Sequence, residues 1–198
     1  MKNFLIRKVI HIFSGLILIL ACVTIQKSAY YLGGIMIMLL FLEILRFRLP
    51  IWKNIYENLF VRFLNPDEKQ SVFTGATSLW ITMYLIYIFF PARVFLTASL
   101  ILVLADPLAA VSGRVIQTHK IYQNKTLMGS LVFFVTSFIL IWRYSNIPLI
   151  LSVFLAIILC LIELYSPKIW ENLFIGSAGA IILLLFDSIF IAELFFFP

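Results

Sequence analysis

Residues 105–130, ADPLAAVSGRVIQTHKIYQNKTLMGS, lie between two long apolar runs and concentrate acid, base and small residues. Asp106 offers a hard oxygen ligand for a divalent cation. Arg114 and Lys125 offer positive charge to phosphate, and the Thr126, Gly129 and Ser130 stretch offers backbone N–H groups at a helix start. Two further carboxylates, Glu43 and Glu163, stand a turn inside other apolar runs, where the enrichment of basic residues at a cytoplasmic boundary does not call for acids. His11 lies just inside the first run, behind Arg7 and Lys8, and Asn172 opens the last. Carboxylates facing cations suit a nucleoside triphosphate with Mg²⁺, because phosphoryl transfer asks mainly for positioning and charge neutralisation. For Asn172 alone helix capping is the simpler account, but Asp106, Glu43 and Glu163 resist it, and the gathering of all these groups at one face argues for chemistry. The soluble nucleotide motifs are missing. Lys125-Thr126 lacks the glycine that precedes the lysine of a phosphate-binding loop, and neither H-R-D nor D-F-G occurs.

The elements that must position these groups follow from composition. Of 198 residues, 63% are hydrophobic and only 12% charged, which excludes a soluble domain of this length. The apolar runs are continuous where a membrane barrel would alternate, so the expectation is an all-α, polytopic transmembrane helix bundle forming one domain over 1–198. Seven spans are predicted, at 9–25, 29–45, 72–90, 92–111, 127–144, 148–164 and 173–196. With the N-terminus cytoplasmic, only Lys27, Arg93 and Arg143 of the 15 basic residues fall outside, an asymmetry that supports the count and the orientation. In this topology every site candidate lies at the cytoplasmic face of an integral, multi-pass membrane protein.

Between spans 2 and 3, Ile51, Trp52, Ile55, Leu59 and Phe63 recur near helical spacing, which predicts an interfacial amphipathic helix; a short helix packed on the bundle is the competing reading. The net charge of +6 is accounted for by basic loops facing anionic membrane lipids, and no nucleic acid partner is implied. Cys22 and Cys160 fall near opposite faces, which argues against an internal disulfide. Gly33, Gly34, Gly176 and Gly179 suit close helix packing. Lys2, Arg7 and Lys8 before a run ending in Cys22 also fit a cleaved lipoprotein signal, but Leu20 is bulky for such a site and further spans follow at once. Asp187 is expected to approach the outer interface.

Distributed through the chain are Arg7-Lys8-x-x-His11 with Gly15, Glu43-x-x-Arg46, Phe73-Thr74-Gly75-Ala76, Asp106-Pro107-x-Ala109 through Gly113-Arg114, Lys125-Thr126-x-x-Gly129-Ser130, and Glu163 with Asn172. This set resembles the polyprenol kinase family, which comprises dolichol kinases, phytol kinases and CTP-dependent diacylglycerol kinases. The resemblance implies transfer of the γ-phosphate of CTP to the hydroxyl of a long lipid alcohol, with Mg²⁺ as cofactor. It would make Asp106, Glu163 and Glu43 metal ligands, and Asp106, Lys125, Glu163 and His11 the catalytic set. Arg7, Lys8, Arg114, Lys125, Thr126, Gly129, Ser130 and Asn172 would face the nucleotide. The chain departs from the family's pattern at Gln117 and Met128, where a glycine and an acid are usual, and at Glu171, where an aspartate is usual. A phosphatidate cytidylyltransferase is the nearest alternative, since it shares CTP, metal and lipid. A transporter or assembly factor without catalysis is a more distant one.

Overall fold

The computed structural model describes the chain except residues 61–72, 117, 124, 168, 169, 197 and 198, and the side chains of residues 2, 60 and 188–196. The expected Phe63 position of the amphipathic stretch, the basic residues Arg62, Lys69 and Lys168, and Gln117 therefore lie outside the described residues.

The described chain is all-helical apart from one small hairpin. Helices α1 (Lys2–Thr24) and α2 (Ser28–Arg48) are joined by a tight turn in which Lys27 takes a left-handed conformation, φ 59°. Helices α3 (Pro50–Phe60) and α4 (Gly75–Phe89) follow, and then α5 (Ala92–Leu100) runs through a wide turn at Ile101–Ala105 into α6 (Asp106–Val115). Strands β1 (Lys120–Tyr122) and β2 (Lys125–Thr126) pair antiparallel before α7 (Leu127–Tyr144), α8 (Leu149–Tyr165) and α9 (Glu171–Phe196). Among the described residues, four helical segments are long and apolar enough to cross a membrane: Asn3–Thr24, Ser28–Arg48, Ala92–Val115 and Leu127–Tyr144. Helices α4 and α8 are apolar but shorter.

The segment Ala92–Val115 is the axis of the bundle. It is largely buried, while the other three long segments expose most of their length, and it packs against α1, α4, α7 and α9. Leu102, Val103 and Ala105 on this segment sit in the core with Met83, Phe133, Ile141, Leu155 and Ala180. Its wide turn has a local cause. Pro107 has no N–H to give the carbonyl one turn back, so regular α-helical bonding cannot continue through this point.

Glycine lets helices approach this axis. A Cβ on Gly15 would stand 2.3 Å from Val103 Cγ2, and one on Gly176 would stand 2.4 Å from Thr82 Cγ2. Gly33 is equally tight against the Tyr84 hydroxyl, but Gly34 meets nothing and Gly179 only ordinary contact, so the predicted packing role holds for two of those four glycines.

Helix α3 takes the predicted amphipathic form. Trp52 donates its indole N–H to the Leu42 carbonyl at 3.2 Å, and Tyr56 lies under the Arg46 guanidinium, which seats the helix on α2. Ile51, Ile55 and Leu59 remain exposed on the other side. Both cysteines are free.

Candidate metal and phosphate site

Five ionisable side chains from five elements meet at one end of the bundle. Asp106 begins α6, directly after the wide turn, and its Oδ2 accepts from Lys8 Nζ of α1 at 2.9 Å. Lys125 of β2 donates to both Glu163, near the end of α8, and Glu171, the first residue of α9. One carboxylate oxygen each from Asp106, Glu163 and Glu171 lies within 4.8 Å of the others. Asp106 and Glu163 are only 2% and 3% exposed, and Glu171 is partly buried. Burial would draw the Lys125 ammonium below the usual lysine range, but Glu171 and Glu163 hold it above that range. Burial, and after it the neighbouring Asp106 carboxylate, push Glu171 above the usual glutamate range despite Lys125.

These residues fit a divalent cation. A hard ion takes carboxylate oxygens gathered at short range, and Glu163 Oε2 is buried with no hydrogen-bond partner among the described residues. Two ammoniums do not satisfy the three carboxylates. With all three ionised, the group carries one net negative charge.

Asp106, Lys125, Glu163 and Lys8 of the predicted set are thus brought together. Glu171 joins them and was not among the predicted site residues; an acid at the outset of the last apolar run, one place before Asn172, was the available signal.

Glu43 goes elsewhere. Its Oε1 accepts from the Thr74 N–H at 3.1 Å, the Thr74 hydroxyl at 2.8 Å and the Thr77 hydroxyl at 2.9 Å, while Oε2 pairs with Arg46 at 2.8 Å. The carboxylate expected to hold metal therefore ties the end of α2 to the start of α4. Asn172 Nδ2 donates to the Gly75 carbonyl at 3.1 Å, so it ties the start of α9 to the same place. The rings of Phe47, Phe73 and Trp170 pack in series beside these bonds.

The start of α7 is also committed internally. The N–H groups of Leu127, Met128 and Gly129 donate to the His119 carbonyl, the Thr118 hydroxyl and the Thr126 hydroxyl, at 3.0, 3.1 and 3.2 Å. The amides expected to face phosphate are occupied. Thr126 serves as the helix cap, and Gly129 allows close contact: a Cβ there would stand 3.0 Å from the Ala109 carbonyl. Ser130 lies at the α7–α8 contact, where its carbonyl accepts from the Cys160 thiol and its buried hydroxyl has no partner among the described residues.

Arg114, which lies beyond the predicted span at 92–111, is in the last turn of α6 with its guanidinium 4.2 Å above the Phe4 ring. Arg7 is half-buried one residue before Lys8. The His11 ring Nε2 lies 3.3 Å from the Leu102 carbonyl, inside the wide turn that leads to Asp106.

No protein-family model matches the chain, and neither a curated protein nor a solved structure does.

Proposed function

We propose that this chain is a multi-pass membrane kinase that transfers the γ-phosphoryl group of CTP to the hydroxyl of a lipid alcohol at the cytoplasmic face. The observation that carries the reading is the convergence of Asp106, Glu163 and Glu171 with Lys8 and Lys125. Carboxylates for a metal and ammoniums for phosphate in one enclosed group are the parts phosphoryl transfer requires.

The same contacts bear on topology. Lys8 is near the start of α1, Asp106 past the middle of the α5–α6 segment, Lys125 just before α7, Glu163 at the end of α8 and Glu171 at the start of α9. Glu43 at the end of α2 meets Thr74 at the start of α4, and Asn172 meets Gly75. All these ends on one side agree with seven crossings: α1, α2, α4, α5–α6, α7, α8 and α9. The positive-inside bias makes that side cytoplasmic. Asp187, 16 residues beyond Glu171, is about 24 Å further along α9. Its buried Oδ1 has no polar partner among the described residues, which gives a transport pathway little support.

In this reading Asp106, Glu163 and Glu171 would hold Mg²⁺, which when bound neutralises charge building on the phosphoryl oxygens. Lys8 and Lys125 bind the phosphates, and the apolar helix surfaces admit the lipid from the side. The lipid hydroxyl oxygen forms a bond to the γ-phosphorus while the bond to the bridging oxygen breaks, CDP leaves, and the hydroxyl proton passes to the carboxylate of Asp106. The His11 imidazole, beside the turn that carries Asp106, would orient the acceptor hydroxyl.

Purified protein incubated with CTP labelled at the α or the γ phosphorus tests the reading, using diacylglycerol, a polyprenol, phytol and phosphatidate as acceptors. Label is expected in lipid from the γ position, with divalent metal required. Label reaching lipid only from the α position would instead establish a cytidylyltransferase.

A further inference from the structure

We infer that Lys8 and Lys125 are exchangeable counter-ions: they hold the three carboxylates together in the metal-free protein and pass to phosphate when a divalent cation takes those carboxylates. Cation and phosphate then bind as a coupled pair. The inference rests on reading this group as a metal and phosphate site, and adds how the two ligands depend on one another.

The first observation is where the ammoniums stand. Lys8 Nζ is 2.9 Å from Asp106 Oδ2, and Lys125 Nζ bridges Glu163 and Glu171. Each ammonium thus occupies a carboxylate that a cation would need. Buried carboxylates at such close range cannot stand uncompensated in a low-dielectric setting, so without metal these lysines are what permits the arrangement.

The second is that the pairing is incomplete. Glu163 is almost wholly buried, yet its Oε2 has no partner among the described residues. Lysine satisfies part of this group and leaves an oxygen suited to a metal.

The third is mobility by design of the side chains. Lys8 and Lys125 are 20% and 26% exposed, far more than the Asp106 and Glu163 side chains they pair with, at 3% and 4%. A four-carbon stem lets either ammonium turn outward without moving the backbone. Asp106 and Glu163 are short or enclosed and fixed on helices, so the cations are the members free to leave.

Charge then sets the coupling. With three ionised carboxylates and two ammoniums the group is net negative and repels a polyphosphate; adding a divalent cation makes it net positive. Displaced ammoniums near a positive ion seek anions, and phosphate supplies them. Linkage requires the reverse as well: phosphate must raise the affinity for metal by the same factor.

The test uses full-length protein in nanodiscs, with free Mn²⁺ followed by electron paramagnetic resonance and inorganic phosphate as the anion. In the wild type, saturating phosphate is expected to tighten Mn²⁺ binding at least ten-fold after correction for complex formation in solution. Lys125→Met is expected to bind Mn²⁺ alone at least ten-fold more tightly than wild type, with a smaller further gain from phosphate, since only Lys8 is left to pass to the anion. Glu163→Gln is expected to lose the bound Mn²⁺ under both conditions. Equal Mn²⁺ affinity of the wild type with and without phosphate would overturn the inference, and that measurement stands even where a lysine variant fails to fold. So would Lys125→Met that folds and binds Mn²⁺ alone no more tightly. Coupling without lipid phosphorylation would remove the kinase reading alone, and phosphorylation without coupling would remove this inference alone.

Discussion

Changing Glu43 to Gln separates a metal ligand from a structural tie. In the fold, the Glu43 carboxylate accepts three hydrogen bonds from Thr74 and Thr77 and pairs with Arg46 at 2.8 Å, with both charged side chains nearly inaccessible. The amide of Gln keeps an acceptor for the threonines but takes the buried negative charge away from Arg46. Breaking a buried pair by removing one partner costs about 3–5 kcal/mol. For a chain of this length each kcal/mol moves the unfolding midpoint by about 2–4 °C, so Glu43→Gln should lower it by about 6–20 °C. Thr74→Val should lower it less, since it removes one hydroxyl and leaves the ion pair. Thermal unfolding in detergent, followed by circular dichroism, gives the midpoint, and Mn²⁺ titration below it counts metal sites. The expected outcome is a strongly destabilised protein that still binds one Mn²⁺ while folded. A Glu43→Gln protein of unchanged midpoint that has lost Mn²⁺ would make Glu43 a ligand after all and refute the reasoning.

Three further outcomes follow from individual contacts. Gly113→Ala should cost about 1–3 kcal/mol, because its Cβ would sit 2.5 Å from Thr126 Oγ1 and press on the α7 cap, whereas Gly34→Ala, which meets nothing within 4 Å, should be neutral or slightly stabilising in the same unfolding assay. His11→Phe should cost about 1–3 kcal/mol through the lost bond to the Leu102 carbonyl; a fall in lipid phosphorylation with an unchanged midpoint would instead mean that His11 acts only on the acceptor. The folded protein binds the Glu171 proton more tightly than the unfolded chain does, so this group's contribution to stability is full below its unfolded pKa and is lost as pH rises through the raised folded value. Unfolding midpoints of the metal-free protein measured from the ordinary glutamate range upward should fall across that window, and Glu171→Gln should flatten the fall.

Much of the frame was legible because a charge inside an apolar run is costly and therefore conspicuous. Asp106 and Glu163 were singled out on that ground, and Lys125 by its place between two runs; all three meet. The run at 127–144 coincides with α7, bounded by the Thr126 cap and by Ser145. Glu171 is legible only as a departure from the family's aspartate and not as a site residue, because it stands outside the apolar boundary, where a carboxylate resembles an ordinary first-turn residue. The diversion of Glu43 was hidden for the opposite reason. Its depth looked like that of a ligand, and only tertiary packing brings Thr74, 31 residues away, to its oxygens. The fourth predicted span stops at 111, short of Arg114, whereas contact with the start of α7 carries α6 on to Val115. The hairpin β1–β2 is too short to show an alternating pattern and was not foreseen.

The most direct trial of the central claim is phosphorylation of a lipid alcohol from γ-labelled CTP by wild type, Asp106→Asn and Glu171→Gln, each first shown to be folded by its unfolding transition. Metal-dependent labelling by wild type, falling by at least 100-fold in both variants, is predicted, since charge stabilisation of this kind is worth roughly that much or more. Labelling that persists at the wild-type rate in folded Asp106→Asn and Glu171→Gln would contradict it, because the three carboxylates would then have no part in the reaction.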